Sequence, residues 1–292
     1  MDRPKITIIT PNYNQAEFIE ETILSVIEQS YQNVEYIIID GGSTDGSVEI
    51  IKKYEKYLAY WISEPDKGLY HALQKGFDRA TGEIFGWINS DDKLHPHALS
   101  VIAEIFGCFE EVNWLTGCLS VYDEKGRTIS AVPPKQWSKY HFYLHEYEWI
   151  QQESTFWRKS LWHEAGGYLN VDLKYAADFE LWLRFFRYAK LFTIQTILGG
   201  FRLRSANQLS ILHREKYIEE VEGLLAKEIR NLPPQEKKRL AFYKKTMTIT
   251  SWIENLKIFN TPRIKLSFRN RLHNSTGSIE FDQTLKKFKL MD

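Results

Sequence analysis

Two adjacent carboxylates follow a short apolar run in the first third of the chain. The stretch Glu83–Leu94 reads EIFGWINSDDKL, and its apolar part stops abruptly at the polar cluster Asn89, Ser90, Asp91 and Asp92. Adjacent carboxylates repel each other, so a site that keeps both ionised usually supplies a cation or a sugar hydroxyl to hold them. A solvated turn before a helix is the alternative interpretation of this tetrapeptide.

Two further polar clusters follow apolar runs earlier in the chain. TPNYNQ, which contains Thr10, Pro11 and Tyr13, ends the β-branched run KITIIT, and DGGSTDGS begins at Asp40 after a second such run. Helical periodicity separates the runs, so strands and helices alternate, as they do in a mostly parallel sheet with helices on both sides. Because parallel strands end at the same edge, we expect all three clusters to line one ligand-binding crevice.

The later elements are less regular. Periodicity predicts, in order, a helix to about Cys108, strands over 114–122, 127–132 and 154–157, a short helix over 159–165, and a strand over 191–198. An amphipathic helix with a buried face begins next to Asp178, for which an N-cap is the simplest structural use. From His213 onward the periodicity is helical, broken by prolines.

Composition excludes several classes of protein. The 292 residues are 43% hydrophobic and 26% charged, which suits a globular α/β domain with an appendage. The two cysteines form no CxxC, which argues against a structural zinc and for a reducing compartment. No apolar stretch approaches the length of a membrane span. We therefore expect a cytoplasmic protein.

The net charge is zero, but acidic and basic residues are distributed unevenly along the chain. From Arg230 onward there are 14 basic and 5 acidic residues, against 24 and 33 before it. An acidic body argues against a nucleic-acid groove, whereas the basic tail, with Arg263, Lys265, Arg269 and Arg271, could contact an anionic membrane at its inner face. A solvated helix packed on the body is the alternative for this tail.

Five motifs follow one another along the chain: TPNYNQ, IIIDGGSTDGS, SEPDKGLYHALQKG, WINSDD and AADFELWLR. In their order and spacing they resemble the motifs of the family 2 glycosyltransferases, which have the GT-A fold. The resemblance implies an α/β fold in which helices flank a mostly parallel, twisted sheet. It implies a Rossmann-like nucleotide-binding half over about 1–95 and an acceptor-side half over about 96–212. Residues 213–292 would form a helical, basic C-terminal extension outside it.

The same resemblance assigns roles around a nucleotide. Asp40 would accept a hydrogen bond from N3–H of uracil, and Thr10, Pro11 and Tyr13 would line the nucleotide pocket. Asp66 lies in the loop with which the family approaches the base. For both carboxylates, an ordinary solvated loop residue is the alternative.

A departure from the family concerns the metal. Its motif is most often Asp-x-Asp followed by a further Asp, whereas this chain has Asn89 in the first position. An amide can bond a ribose hydroxyl but brings no charge, so metal binding would fall to Asp91 with help from Asp92, and Ser90 between them would belong to the donor site. Such oxygen ligands suit Mn²⁺ or Mg²⁺ and do not decide between them.

Asp178 matches the position of the family's general base, which takes the proton of the acceptor hydroxyl. The usual Glu-Asp pair is Ala177-Asp178 here, so the base is retained and its acidic neighbour is not. Should Asp178 prove to be only a cap, Glu153 and Glu180 are the next candidates. Arg204, where the family often has a His, would face the diphosphate or be solvated.

These expectations describe an inverting, metal-dependent glycosyltransferase. It would move a sugar from a nucleotide-sugar donor, UDP-linked if Asp40 reads uracil, to a saccharide or lipid-linked acceptor in polysaccharide or glycoconjugate biosynthesis. A sugar nucleotidyltransferase would need glycines and a basic residue just after the first strand, and TPNYNQ has neither. A non-catalytic nucleotide-sugar-binding or scaffolding protein is favoured only by Asn89 and Ala177. A retaining enzyme would give the opposite product configuration.

Overall fold

The computed structural model describes residues 3–135, 137–145, 150–204, 213–255 and 277–291. Thirteen strands are described, numbered along the chain. They are β1 (Ile6–Asn12), β2 (Val34–Asp40), β3 (Tyr60–Ser63), β4 (Ile84–Trp87), β5 (Lys93–Leu94), β6 (Trp114–Thr116), β7 (Leu119–Tyr122), β8 (Thr128–Val132), β9 (Thr155–Arg158), β10 (Phe192–Ile194), β11 (Gly199–Arg202), β12 (Gly277–Asp282) and β13 (Lys287–Met291).

Helices connect most of these strands. They are α1 (Ile19–Ile27), α2 (Ser47–Lys53), α3 (Leu69–Phe77), α4 (Ala98–Cys108), α5 (Lys139–Tyr143), α6 (Lys159–Glu164), α7 (Ala177–Tyr188), α8 (Arg214–Asn231) and α9 (Pro234–Asn255), with 3-10 turns at Glu55–Tyr57 and Gln152–Ser154. In the parts of the chain described above, no helix combines the length and apolar content of a membrane span.

A nine-stranded sheet with the order β13-β12-β10-β6-β9-β4-β1-β2-β3 forms the centre of the molecule. Strands β4, β1, β2 and β3 run parallel, and their register sets Asn12 beside Asp40 and Asp40 beside Ser63. The predicted alternation of strands and helices is therefore confirmed, and polar residues meet at one edge. Strand β9 runs antiparallel between β4 and β6, and a second sheet has the order β5-β11-β7-β8.

The strands at the centre are apolar on both faces because helices cover both sides of the sheet. Ile8 and Ile38 belong to the core under α1, α2 and α4, whereas Ile9 and Ile39 belong to the core under α3, α6 and α7. Buried parallel strands read as continuous apolar runs for this reason. Because helices pack on both faces of the sheet, the polar ends of β1, β2 and β4 keep fixed positions relative to one another.

Stacked tryptophans join the strand β4 to the helix α7. The rings of Trp87 and Trp182 are nearly parallel, at 10°, with centroids 6.1 Å apart, and Trp182 stacks in turn on Trp114 at 5.6 Å. Trp87 lies two residues before Asn89, and Trp182 lies one helical turn after Asp178. The two elements that carry the predicted donor and acceptor residues are therefore packed directly together.

Two predicted strands are wrong in their extent. The predicted strand over 114–122 divides between the two sheets, and the one over 191–198 ends early. The break at Gly117 and Cys118 has a local cause, because the Cys118 N–H donates to the carbonyl oxygen of Thr196 at 2.9 Å, outside either sheet. A Cβ on Gly117 would lie only 2.6 Å from that same oxygen, so the close approach requires glycine.

The C-terminal extension packs on the body. Helices α8 and α9 agree with the predicted periodicity, and Val221 and Leu225 of α8 are buried in the core under α7. The prediction of a helical extension is wrong at its end, where β12 pairs with β10 and β13 forms the sheet edge. The alternation of Phe288 and Leu290 with lysines is the sequence pattern that indicates a strand here. The basic cluster from Arg263 to Arg271 lies outside the described residues.

Candidate active site

Asp40 joins the loops that follow β1, β2 and β3. It is fully buried and accepts five hydrogen bonds, from the side chains of Asn12 (2.6 Å), Ser43 (2.5 Å) and Ser63 (2.5 Å) and from the N–H groups of Gly42 (3.1 Å) and Ser43 (2.9 Å). Burial acts to raise the pKa of Asp40, but these bonds, that of Ser43 foremost, leave the pKa lowered. A carboxylate has about four lone-pair sites. In this arrangement none is left for N3–H of uracil, the contact predicted for Asp40.

The residues predicted beside the nucleotide differ in exposure. Tyr13 is 62% exposed, whereas Pro11 is buried in β1 and the Thr10 hydroxyl pairs with the hydroxyl of Tyr36 at 3.0 Å inside the core. Asn12, which the motif analysis did not single out, has a buried side-chain oxygen without a hydrogen-bond partner among the described residues. Of the predicted three, Tyr13 therefore offers the accessible surface.

Asp66 lies beside Gly41 and Tyr13. Its Oδ1 accepts the N–H of Gly68 at 2.7 Å, and its Oδ2 lies 3.0 Å from the point where a Cβ on Gly41 would stand. That same point is 3.3 Å from the ring of Tyr13. Because Gly41 has no side chain, the carboxylate of Asp66 and the ring of Tyr13 can both approach its backbone closely at the polar edge.

The turn after β4 points its two carboxylates in different directions. Asp91 keeps 17% of its side chain exposed and forms an ion pair with Arg204, with Oδ2 3.0 Å from Nη2. Asp92 is buried, where Oδ1 accepts the N–H of Arg202 at 2.7 Å and Oδ2 accepts the amide of Asn89 at 3.0 Å. Asp91 is thus placed for a ligand, whereas both oxygens of Asp92, the predicted second metal ligand, already support the turn.

Ser90 is buried and acts through its backbone. Its carbonyl oxygen and that of Asp92 both accept from the hydroxyl of Thr22, at 2.9 and 2.6 Å. Asn89 also donates to Gln152 at 3.4 Å, but its Oδ1 is buried and has no hydrogen-bond partner in the described part of the chain. An orphaned buried acceptor is costly, so Asn89 is an acceptor suited to a ligand hydroxyl.

Arg202, which sequence reasoning missed, holds this turn from inside the protein. Its side chain is fully buried and donates to the carbonyl oxygens of Asp91 (2.6 Å) and Glu124 (2.9 Å). Nη2 completes an ion pair with Glu21 at 2.5 Å. A buried cation needs this full set of partners. The strand β11 therefore fixes the position of Asp91, with Arg204 two residues further along.

Burial raises the pKa values of the acidic residues at and beside this turn. Burial raises the pKa of Asp91, which Arg204 only partly offsets. Burial, with the neighbouring charges of Asp91 and Glu153, also raises the pKa of Asp92 far above its ordinary value, and burial raises the pKa of Glu153 to about 7. The negative charges of Asp92 and Glu153 act on each other, and their proximity favours the protonated form of one of the two.

Asp178 lies half-buried in the first turn of α7, where the periodicity predicts it. Burial raises its pKa to about 6, opposed by the N–H of Phe179 (2.8 Å from Oδ1) and reinforced by the charge of Glu220. The N-cap position is Ala176, so Asp178 does not cap the helix. A carboxyl with a pKa near 6 is mostly ionised at neutral pH and is a stronger base than an ordinary aspartate.

The two reserve candidates for the base have other partners. Glu180 forms an ion pair with Arg184 at 2.9 Å on the same helix. Glu153 is buried against Asp92, as described above. Among the three predicted acids, Asp178 is therefore the one whose carboxylate is not committed to an ion pair or to another carboxyl.

The donor atoms fit a cation that binds together with a diphosphate. The described residues contain no group of three His, Cys, Asp or Glu side chains that could hold a metal ion. Mg²⁺ and related cations in such sites take one or two carboxylates and fill the other positions with phosphate oxygens and water. Asp91 would supply one such carboxylate, so the described residues fit a cation shared with a diphosphate and form no complete cage of their own.

Similarity to known proteins covers most of the chain. The family model described as "Glycosyl transferase family 2" matches residues 7–166. An uncharacterized glycosyltransferase of Rickettsia typhi is 26% identical over 238 residues, which cover 80% of this chain and 74% of that protein.

Two solved structures share the architecture. S. aureus TarS 1–349, in complex with UDP-GlcNAc, has a TM-score of 0.65 and 20% identity over 81% of this chain and 70% of its own. The mannosyltransferase PcManGT from Pyrobaculum calidifontis, in complex with GDP-Man and Mn²⁺, has a TM-score of 0.61 and 17% identity over 94% of this chain and 86% of its own. At these identities the two structures establish the fold.

Proposed function

Because the chain belongs to glycosyl transferase family 2 and has the GT-A fold, we propose that this glycosyltransferase inverts the anomeric carbon and uses a UDP-sugar donor and a divalent cation. One observation carries the proposal. The partly exposed Asp91 and the half-buried Asp178 lie on two elements that stacked tryptophans pack together. This arrangement supports a diphosphate-binding carboxylate on one element and a base on the other.

The groups beside Gly41 suit the base of the donor. The exposed ring of Tyr13 offers a stacking surface, and Oδ2 of Asp66 offers a hydrogen-bond acceptor. Uracil presents its ring N3–H to such an acceptor, whereas adenine and cytosine have no N–H at the matching ring position. We therefore transfer the predicted uracil contact from Asp40 to Asp66.

The diphosphate would lie at the end of β4. Asp91 would hold the Mn²⁺ or Mg²⁺, which when bound supplies positive charge to the leaving group. Arg204, 3.0 Å from Asp91, adds a fixed cation suited to phosphate oxygens. Oδ1 of Asn89, for which the described residues provide no hydrogen-bond donor, would accept from a ribose hydroxyl, as predicted for this position.

Asp178 would act on the acceptor. Its carboxylate accepts the proton of the attacking hydroxyl, whose oxygen forms the new bond to the anomeric carbon. The bond from that carbon to the UDP oxygen breaks on the opposite side, and the displaced UDP leaves with the electron pair. A pKa near 6 leaves Asp178 ionised and basic at neutral pH, as this step requires. Attack opposite the leaving group inverts the configuration.

We further propose an acceptor at a membrane surface, either saccharide or lipid-linked, in polysaccharide or glycoconjugate biosynthesis. Helix α9 presents an exposed face with Lys237, Lys238, Lys244 and Lys245 around Phe242, which is 57% exposed. Lysines around an aromatic residue suit the surface of an anionic bilayer. This face supports the predicted inner-membrane location independently of the tail.

Calorimetric titration with UDP-, GDP- and dTDP-sugars, with and without Mn²⁺, tests the donor and the metal. We expect UDP-sugars with Mn²⁺ to bind best, Asp91→Ala to abolish the Mn²⁺ dependence, and Asn89→Asp to strengthen it, because it adds a carboxylate. Asp172→Ala, which removes an exposed carboxylate before α7, is the matched control and should behave as wild type. Mn²⁺-dependent binding that survives in Asp91→Ala would show that another group holds the cation.

Turnover then separates an enzyme from a binding protein, the alternative that Asn89 and Ala177 favour. Release of UDP from UDP-GlcNAc, with water as acceptor, can be followed without knowledge of the natural acceptor. Tight binding of donor with no release by wild type at any pH from 5 to 9 would support the binding protein instead.

A further inference from the structure

One carboxylate of the C-terminal extension holds the loop that leads to Asp178. Glu220 of α8 accepts the backbone N–H groups of Lys174 (Oε1–N 3.0 Å), Tyr175 (Oε2–N 2.9 Å) and Ala176 (Oε2–N 2.9 Å). Three consecutive donors, the last directly before α7, thus converge on a single side chain. Glu220 lies beyond the residues that the family model matches.

This contact fixes the backbone at the start of α7. In a capping box, a side chain three residues into the helix accepts the N–H of the N-cap residue. The N-cap of α7 is Ala176, and the residue in that third position is Phe179, which has no side-chain acceptor. Glu220, 44 residues later, accepts the N–H of Ala176 instead and places a negative charge where the helix dipole favours it.

Packing of α8 on α7 keeps Glu220 in place. The neighbouring Val221 is fully buried, and one end of α8 is tied to α7 by the ion pair between Glu228 and Arg187. Glu220 therefore reaches the loop from a helix that is itself fixed on the body.

We infer that Glu220 is a positioning residue that fixes the backbone of residues 174–176 and thereby the carboxylate of Asp178, so that the C-terminal extension completes the acceptor side of the active site. The inference rests on the proposed function, in which Asp178 is the base.

Ionisable groups from three elements face Asp178. They are Tyr70 of α3, Tyr217 and Glu220 of α8, and Glu153 of the turn before β9. Burial raises the pKa of both tyrosines well above the ordinary value, so they are neutral when Asp178 titrates. The negative charge of Glu220 raises the pKa of Asp178 beyond the effect of burial, so removing that charge should move the acid limb of the rate profile to lower pH.

Hydrogen exchange tests the positioning contact without any substrate. In Glu220→Gln one carboxylate oxygen becomes an NH₂ group that cannot accept, so at least one of the three N–H groups loses its partner. We expect the amides of 174–176 to exchange about tenfold faster or more, which corresponds to loss of one buried hydrogen bond. Glu219→Gln, an exposed neighbour on the same helix, is the matched control and should leave this exchange unchanged. Equal exchange in the two variants would overturn the inference.

Release of UDP from UDP-GlcNAc as a function of pH tests the consequence for the base. We expect Glu220→Gln to lower kcat about tenfold, to keep the donor Kd, and to shift the acid limb to lower pH. Glu220→Asp keeps the charge but has a shorter side chain, so it should lower kcat without shifting the acid limb. This variant also serves for the measurement if Glu220→Gln does not fold. A wild-type kcat in Asp178→Asn would refute the proposed base. A lower kcat in Asp178→Asn together with a wild-type kcat in Glu220→Gln would refute the positioning role alone.

Discussion

Replacing Asp178 by Asn removes the basicity of one side chain and changes little else. The amide keeps the size of the carboxylate, its place in the first turn of α7 and an oxygen for the N–H of Phe179, 2.8 Å away in the wild type. The contacts of Glu220 with the backbone before α7 are also kept, because they do not involve the side chain of Asp178. We therefore expect Asp178→Asn to fold as wild type does and to bind Mn²⁺ and UDP with unchanged affinity.

The expected loss of rate follows from the chemistry and from the pKa of Asp178. General-base assistance is typically worth about 10²–10⁴ in rate, so transfer should fall by that factor at neutral pH. With a pKa of about 6, about nine-tenths of Asp178 is ionised at pH 7 and about one-tenth at pH 5. The wild-type kcat should consequently fall about tenfold between those two pH values, and the Asn variant should lose this dependence.

UDP release under donor saturation, measured from pH 5 to 9, gives both the loss of rate in the variant and the pH dependence of kcat. Asp172→Asn, which alters an exposed aspartate before the same helix, is the matched control and should keep both the rate and the pH dependence. A rate for Asp178→Asn within a few-fold of wild type would refute the assignment of the base. An acid limb that persists near pH 6 in this variant would instead identify another group, with Glu153 the first to examine.

Three further predictions concern the donor, the fold and the membrane. Asp66→Asn turns one of the two carboxylate oxygens into an NH₂ group that cannot accept a hydrogen bond, so UDP affinity measured by calorimetry should weaken by about 1–3 kcal/mol, and unchanged affinity would remove Asp66 from the site. Arg202→Met leaves two buried carbonyl oxygens without their donor, while the partly exposed Glu21 keeps its ion pair with Lys93, so the free energy of unfolding in urea should fall by about 1–3 kcal/mol; no measurable loss would contradict the buried network. Lys238→Gln and Lys245→Gln should each weaken co-sedimentation with phosphatidylglycerol vesicles by about 1 kcal/mol, whereas equal wild-type binding to neutral and anionic vesicles would refute the membrane contact.

Much of the donor half could be predicted from the sequence because its signals are local. Apolar runs that stop at TPNYNQ, DGGSTDGS and NSDD mark strand ends, and parallel topology brings those ends together. Likewise, helical periodicity correctly places Asp178 in a first turn. These inferences need only the neighbouring residues.

The partners of the site could not be predicted, since they are distant in sequence. Arg202 contacts the turn of Asp92 across 110 residues, and Glu220 reaches Ala176 across 44. A sequence displays an Arg or a Glu without showing which backbone group it will meet. The same limit applies to Asp40, where two of the donors that saturate its carboxylate come from neighbouring strands.

The stack of Trp87 on Trp182 also gives this chain an optical property. Aromatic rings held in a fixed, asymmetric arrangement produce circular dichroism in the near ultraviolet, and this signal disappears when tertiary packing loosens even if helices persist. One ring is two residues from Asn89 and the other one turn from Asp178. Subtracting the near-ultraviolet spectrum of a Trp182→Phe variant from that of the wild type isolates the signal of this stack. That difference spectrum should therefore report, without any label, whether the donor and acceptor halves keep their spacing when a nucleotide binds.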